Sequence, residues 1–436
     1  MKTIFVIGQC TLHWGRMEFG NIGNYYVIEP FFRELHRAFP NTVIKTTFQM
    51  SDDFQKNERV SCVPMDLYYG WKKDDLDNAL KELAIAQLYS ETGHFISTTP
   101  FIEEVMCSDL IIDYSGDIWG QNADLVGENR FLVGLIKDRI AQLLKKKTAM
   151  IAGSPGPFNY DDTLDFAKLV FDNFEYISIR EPVSRQVLEN FGFNVHKIKD
   201  AACPAFLFEP ASQQSIQNRL KETVLETHKR PIIGFILCGW NMLRGPFSRN
   251  DWKEEEFVVY VEALRGFIKK HNVDICFMSH SNGFELPPHF KPIHGRDYPI
   301  AKQLYEIMRR TDVADHVHLL DGIYNAKETK AIVANYDMLI SGRVHGAIAG
   351  LSQNIPTVII DYGHEPKAHK LRGFAIVAGI EDYIASPGNQ NDFEIKIENC
   401  WEKRADIHRF LKSKNIEVAK QVHSQFDDLK GLLKTS

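Results

Sequence analysis

MLISGRVHGAIA occupies residues Met338–Ala349. Met338–Ile340 is a short apolar run ending at Ser341, too brief for a helix and right for a buried strand. Gly346, Ala347 and Ala349 then open a helix of small residues that can pack closely on its neighbours. Ile355-Pro356-Thr357 starts the next strand, Thr357–Ile360. A strand, a helix and a second strand in so short a span are a parallel βαβ unit. The same alternation extends outward. Ile232–Leu237 and Ile275–Met278 read as earlier strands of this series. In the first half, Ile4–Ile7, Leu110–Tyr114, Ala149–Ala152 and Tyr176–Ile179 read the same way, with helices at Tyr25–Phe39, Phe131–Lys145 and Val183–Phe191. The expected fold is α/β, with two Rossmann-like doubly wound domains facing a cleft.

At 436 residues the chain exceeds one ordinary core, which fits two domains. The polar stretch Glu209–Arg230 shows no strand character and marks the boundary. The expected division is 1–208, a linker at 209–230, a second domain at 231–390 and a helical tail at 391–436. In that tail Ile407, Leu411, Val418, Val422 and Phe426 recur at helical spacing. A hydrophobic fraction of 44% and a charged fraction of 25% are those of a globular protein. The net charge of −6 argues against nucleic acid as partner. Seven scattered cysteines without a C-x-x-C pair read as reduced thiols in a cytoplasm-like compartment. The apolar start Lys2–Ile7 is too short for a signal peptide, and no run approaches the roughly 18 apolar residues of a membrane span.

In open α/β sheets, ligands bind beyond the carboxyl ends of strands, so the residues there are the candidates. Arg343 and His345 occupy the turn after Ser341, where a helix N-terminus adds positive potential. Arginine grips carboxylate or phosphate bidentately, and histidine exchanges a proton near neutral pH. By residue chemistry alone this is an anion site with an acid/base, and it specifies no reaction. The alternative without a ligand pairs Arg343 with Asp361 and makes His345 a helix cap. Gly20–Asn24 follows the first strand, and Gly23 and Asn24 there serve either a ligand or a turn capped by Asn24. Ser115-Gly116-Asp117 forms a turn or a polar contact. Arg180 binds an anion or pairs with Glu181 or Asp200. Arg244 and His280 follow strands of the second series, and Lys367 follows the last; a surface histidine without a duty is the alternative for His280. His316/His318 and His364/His369 have no zinc-ligand spacing, so no metal is expected.

Ser341–Lys367 resembles the pattern S-x-R-x-H, small-residue helix, proline-initiated strand, tyrosine and lysine of the polysaccharide pyruvyl transferase family. Gly20–Asn24 and Ser108–Asp117 resemble that family's N-terminal turn and its acidic strand. Ser178–Phe208 resembles S-x-R-[DE]-x-x-S, with Arg180, Glu181, Ser184, Gly192 and Asp200 in place. Asn24 stands where the family usually has aspartate and Ser115 where a glycine is common, and the region after Leu237 matches loosely.

The resemblance implies a GT-B-like fold and phosphoenolpyruvate as donor substrate, with no cofactor. It further implies a pyruvate ketal on a sugar of a polysaccharide, glycolipid or lipid-linked saccharide. His345 is then the general acid, Arg343 and Arg244 donor ligands, and Lys367, His280 and Ser341 supporting groups. Gly23, Asn24, Ser115, Asp117 and Arg180 fall on the acceptor side. Work in cell-envelope exopolysaccharide synthesis places the protein in the cytoplasm, compatible with the inner face of the membrane. Two alternatives are a GT-B glycosyltransferase using a nucleotide sugar and a non-catalytic saccharide-binding protein. The acceptor sugar and the oligomeric state are not legible.

Overall fold

The computed structural model describes residues 2–12, 14–159, 162–221, 223–243, 251–285, 290–362 and 369–433. They fall into two compact units. The first comprises Met1–Met17, Glu29–Pro204 and Lys420–Ser436, the second Glu18–Ile28 and Ala205–Ala419.

The first unit is built on a parallel seven-stranded sheet. Its strands are β1 (Lys2–Ile7), β2 (Thr42–Thr46), β3 (Val60–Cys62), β4 (Leu110–Asp113), β5 (Lys147–Gly153), β6 (Tyr176–Ile179) and β7 (Ile198–Asp200). Their order is β3-β2-β1-β4-β5-β6-β7. All four residues of β4 are buried, as both-faces-covered parallel strands require. Trp119, Phe158, Phe171 and Phe193 pack into an aromatic core beside β5 and β6.

The second unit holds β8 (Ile232–Ile236), β9 (Asp274–Phe277), an antiparallel pair β10 (Asn282–Phe284) and β11 (Pro292–His294), β12 (Val317–Leu319), β13 (Met338–Ser341), β14 (Thr357–Ile360) and β15 (Ile384–Ala385). Its main sheet runs β12-β9-β8-β13-β14-β15. Counting only the strands of each main sheet, both contain the order 3-2-1-4-5-6, to which the first adds a seventh strand. That order reverses direction between β1 and β4, and again between β8 and β13, and such switch points are where doubly wound sheets open for ligands. Gly234 in β8 has a structural cause: a Cβ there would lie 2.4 Å from the ring of Tyr336.

Several boundaries depart from the sequence reading. Residues 209–230 are not a bare linker but lie within the second unit, with helices Gln213–Leu220 and Val224–Thr227. Their polarity is that of short surface helices, each burying few residues (Ile216 and Leu220; Leu225). The tail is helical, at Gln390–Glu402 and Arg404–Asp428, yet residues 420–436 belong to the first unit. There Phe426 meets Phe31, and Gln425 accepts a hydrogen bond from Ser178 Oγ and donates one to the Ala202 carbonyl. The first long helix begins at Ile22 rather than Tyr25, and its opening residues 22–28 belong to the second unit. The strands β2, β3, β7 and β12 escaped the sequence reading because polar or charged residues interrupt their apolar ones, and β15 because it is two residues long.

Candidate active site at the carboxyl ends of β8 and β13

The switch point of the second unit is held by one side chain, Asn241. Its Nδ2 donates to the carbonyls of Gly342, Ile360 and Asp361 at 3.2, 3.0 and 3.2 Å, and its Oδ1 accepts from Cys238 N at 2.9 Å. The ends of β8, β13 and β14 are thereby tied together. Gly342 is required by this clamp, since a Cβ there would fall 2.0 Å from Asn241 Oδ1. Gly346 lets the following helix lie against the strand end, since a Cβ there would fall 2.7 Å from Ser341 Oγ.

Arg343 leaves this turn and meets a partner the sequence did not reveal. Its Nε donates to Asp297 Oδ2 at 2.9 Å and its Nη2 to Asp297 Oδ1. Asp297 is fully buried, and its own amide is held by Ser281 Oγ at 3.1 Å. Burial alone would push the Arg343 guanidinium down, but the Asp297 carboxylate more than offsets it and raises it. The pairing with Asp361 weighed above does not form. Asp361 accepts from Arg372 Nε at 2.9 Å instead. One edge of the Arg343 fork is therefore engaged, and its side chain keeps 17% exposure.

His345 lies in the first turn of the helix Val344–Leu351, whose N-cap position is Arg343. His345 therefore does not cap that helix. The wall beside His345 comes from Gly23: a Cβ on Gly23 would stand 2.4 Å from His345 Nδ1 and 2.9 Å from its Cβ. Gly23 thus serves close approach to a side chain, not a flexible turn. Asn21, not Asn24, caps this helix, its Oδ1 accepting from Gly23 N at 3.0 Å. Asn24 is half-buried within the first turn.

One turn further on, Tyr26 stacks on Phe208 at 4.6 Å and presents its edge to His280 at 5.4 Å. His280 is a core residue at 1% exposure, not a surface histidine. Burial pushes it down to about 4, with Asp297 opposing and Arg343 reinforcing. It is neutral near pH 7. Its Nε2 and the Tyr26 hydroxyl, both buried, have no hydrogen-bond partner among the described residues. Gly23 and Tyr26, three residues apart on one helical face, thus back His345 and His280 respectively.

The first-unit candidates gather at its own switch point. Ser115 Oγ donates to Asp113 Oδ2 and accepts from Gln9 N, both at 2.9 Å. Burial raises Asp113, and burial with the Asp113 charge raises Asp138. Gly116 adopts φ +59. Arg180 donates from Nε to Ser154 Oγ at 2.8 Å and lies 3.8 Å from Asp117. Of the two partners weighed for it, Glu181 is close enough to attract it electrostatically, whereas Asp200 pairs elsewhere. Asp200 accepts from Arg185, and Glu181 accepts from Ser184 N and Oγ. Arg244 and Lys367 lie outside the described residues, as does the His364/His369 pair's side-chain geometry. His316 and His318 flank Asp274, which Arg230 already neutralises at 2.8 Å. Among the described residues no cluster of three or more metal-ligating side chains forms.

Asp297, Asn241 and Tyr26 were missed by sequence reasoning. Asn241 carried a signal, since Cys238-Gly239-Trp240-Asn241 directly follows a strand. Asp297 carried only a helix-start signal, an aspartate ahead of Tyr298-Pro299, which says nothing of Arg343.

The two parallel-sheet α/β units have the GT-B architecture. A glycosyltransferase of Rickettsia africae superposes with a TM-score of 0.59 at 11% identity, covering 100% of this chain and 99% of that one. Anabaena HepE, in complex with UDP, gives 0.55 at 12% identity over 99% and 98%. Within that architecture the chain belongs to the polysaccharide pyruvyl transferase family, whose sequence pattern matches residues 21–364. The amylovoran biosynthesis protein AmsJ of Erwinia amylovora is 22% identical over 267 residues, 61% of this chain and 59% of that protein. The matched stretch thus spans about three-fifths of that relative. No helix among the described residues is long and apolar enough to cross a membrane.

Proposed function

We propose that the protein transfers the enolpyruvyl carbon skeleton of phosphoenolpyruvate to a sugar of a surface polysaccharide or its lipid-linked precursor, as a cyclic ketal. The observation that carries this reading is the Arg343–His345 turn at the β8/β13 switch point of a chain in this family. The amylovoran-related relative supports a polysaccharide acceptor.

The chemistry balances as follows. His345 protonates the methylene carbon of the donor, leaving an oxocarbenium-like centre at its second carbon. One sugar hydroxyl adds there and loses its proton. The bond between that carbon and the bridging phosphate oxygen then breaks, a second hydroxyl adds to the carbon and closes the ring, and its proton leaves with the phosphate. Arg343, oriented by Asp297, turns its remaining N–H edge toward the donor anion, stabilising charge already fixed in place. His280, neutral near pH 7, acts as a hydrogen-bonding group and not as a cationic acid.

The test is incubation with phosphoenolpyruvate in heavy water alongside a panel of free and lipid-linked saccharides. Phosphate release together with a deuterated methyl group in a pyruvyl ketal is expected. In His345→Gln, turnover should fall by about 10²–10⁴-fold while the donor still binds. Release of a nucleotide from a nucleotide sugar, without ketal, would assign the site to glycosyl transfer instead.

A further inference from the structure

The second unit contains a pocket of about 270 Å³ apart from the Arg343–Asp297 pair. Glu18 and Phe19 approach it from the segment before the first long helix, Asn282 from β10, Arg219 from the helix Gln213–Leu220, and Asn325 and Glu328 from the start of the helix Ala326–Val333. Its polar groups are fixed before any ligand arrives. Asn282 Nδ2 donates to the Tyr324 carbonyl at 2.7 Å, which leaves its Oδ1 as an acceptor. Arg219 Nη2 donates to the Ile323 carbonyl at 2.6 Å, its guanidinium lies over the Tyr324 ring, and Glu328 stands 3.6 Å away. Asn325 and Glu328 hold each other in a reciprocal capping arrangement at 2.9 Å.

The lining therefore offers N–H donors from Arg219 and Asn325 and oxygen acceptors from Asn282 and two carboxylates. Phe19, Ile22 and Pro292 add apolar surface. Glu328 stands against the one guanidinium of the lining, which disfavours a phosphate or a second carboxylate as ligand. A neutral ligand with several hydroxyl groups, each both donor and acceptor, and C–H faces to lay on apolar side chains, matches this inventory. The volume suits a single ring, at the lower end of small-molecule sites. The pocket also borders the reactive groups along the chain. Ile22 precedes Gly23, which abuts His345, and Asn282 follows His280 by two residues.

We propose that this pocket binds one sugar residue of the acceptor, next to the sugar that receives the pyruvyl group. The assignment rests on the transferase reading above for the word acceptor, but not for binding itself. It places an acceptor-recognition site in the second unit, in addition to any contacts made by the first.

The test uses the full-length protein without donor and methyl glycosides of glucose, galactose, mannose and N-acetylglucosamine, observed by saturation-transfer NMR. At least one glycoside should bind. Asn282→Ala and Glu328→Gln should each weaken it by about 10-fold, as loss of one hydrogen bond to a charged or fixed polar group does. Glutamine retains the cap of the Ala326–Val333 helix, and unchanged far-UV circular dichroism with an unchanged unfolding midpoint checks the fold. No binding by any of the four, or equal binding in both variants and wild type, overturns the site. Glycoside binding lost in the variants, with no ketal formed from any saccharide, keeps the site and sinks the transferase reading. Ketal formation with variants indistinguishable from wild type in glycoside binding does the reverse.

Discussion

Asp297 has no exposed side-chain surface and holds Arg343 through two N–H groups. Breaking a buried pair from one side leaves an uncompensated charge, which costs about 3–5 kcal/mol. Asp297→Asn should lose stability on that scale in urea unfolding, and an Arg343→Met/Asp297→Leu double variant should lose less than the sum of its parts. Arg343→Lys keeps the charge but not the fork. Donor affinity should fall by about 10–100-fold, measured by titration calorimetry with phosphoenolpyruvate. Gly23→Ala tests positioning rather than binding. The added methyl must displace the His345 ring, and a misplacement near 1 Å can cost about 10²-fold in rate. Turnover should drop on that order while phosphoenolpyruvate affinity and the circular dichroism spectrum stay unchanged. Arg343 and His345 were legible because strand, turn and small-residue helix fixed where their side chains begin. Their partners were not, because Asp297 and Gly23 are distant in sequence and met only through folding.

Elements were most legible where burial is complete on both faces. Tyr176–Ile179 and Thr357–Ile360 match their predicted limits, and β4, β8, β9 and β13 do so within one residue at either end. Edge strands such as β3 and β7 bury only their first residue and lose the apolar run that betrays a buried strand. The 25-residue helix Arg404–Asp428 was legible as a helix, whereas its division between the two units was not. Periodicity reports that a face is buried and is silent on what buries it. In the first unit that helix contributes Gln425, buried at 1% exposure between Ser178 Oγ and the Ala202 carbonyl. Gln425→Leu preserves size but leaves the Ser178 hydroxyl hydrogen and the Ala202 carbonyl without this partner, although Ser178 Oγ still accepts from Ala152 N. It should lower stability by about 1–3 kcal/mol, read from denaturant unfolding followed by a probe in the first unit. A change confined to the second unit's transition would refute the docking of this segment.

At the scale of the molecule, the first unit buries the carboxyl groups of Glu181 and Asp113 and the second the ammonium of Lys330, and these groups make the two stabilities respond to pH in opposite directions. In the first unit, burial pushes Glu181 from 4.5 up to about 7 despite the hydrogen bonds from Ser184 that lower it, and burial likewise raises Asp113. A carboxyl group with a raised folded-state value binds its proton more tightly folded than unfolded. Its contribution is complete below the unfolded value near 4.5 and is lost as pH rises through about 7. In the second unit, burial pushes Lys330 from 10.5 down to about 7, with Glu209 opposing. Its ammonium donates to the Phe208 carbonyl at 1% exposure, close to the rings of Tyr26 and Phe208. A lysine with a lowered folded-state value destabilises the fold while charged. That penalty fades as pH rises from about 7 toward 10.5. Each tenfold difference in proton affinity between folded and unfolded chain is worth about 1.4 kcal/mol. Scanning calorimetry between pH 4 and 10 should therefore show the first unit's transition falling in temperature up to about pH 7, and the second's rising above it. Glu181→Gln should flatten the first trend and Lys330→Met the second, each leaving the other unchanged. Parallel trends in both transitions, or a slope that survives Glu181→Gln and Asp113→Asn together, would show that other groups govern the pH response.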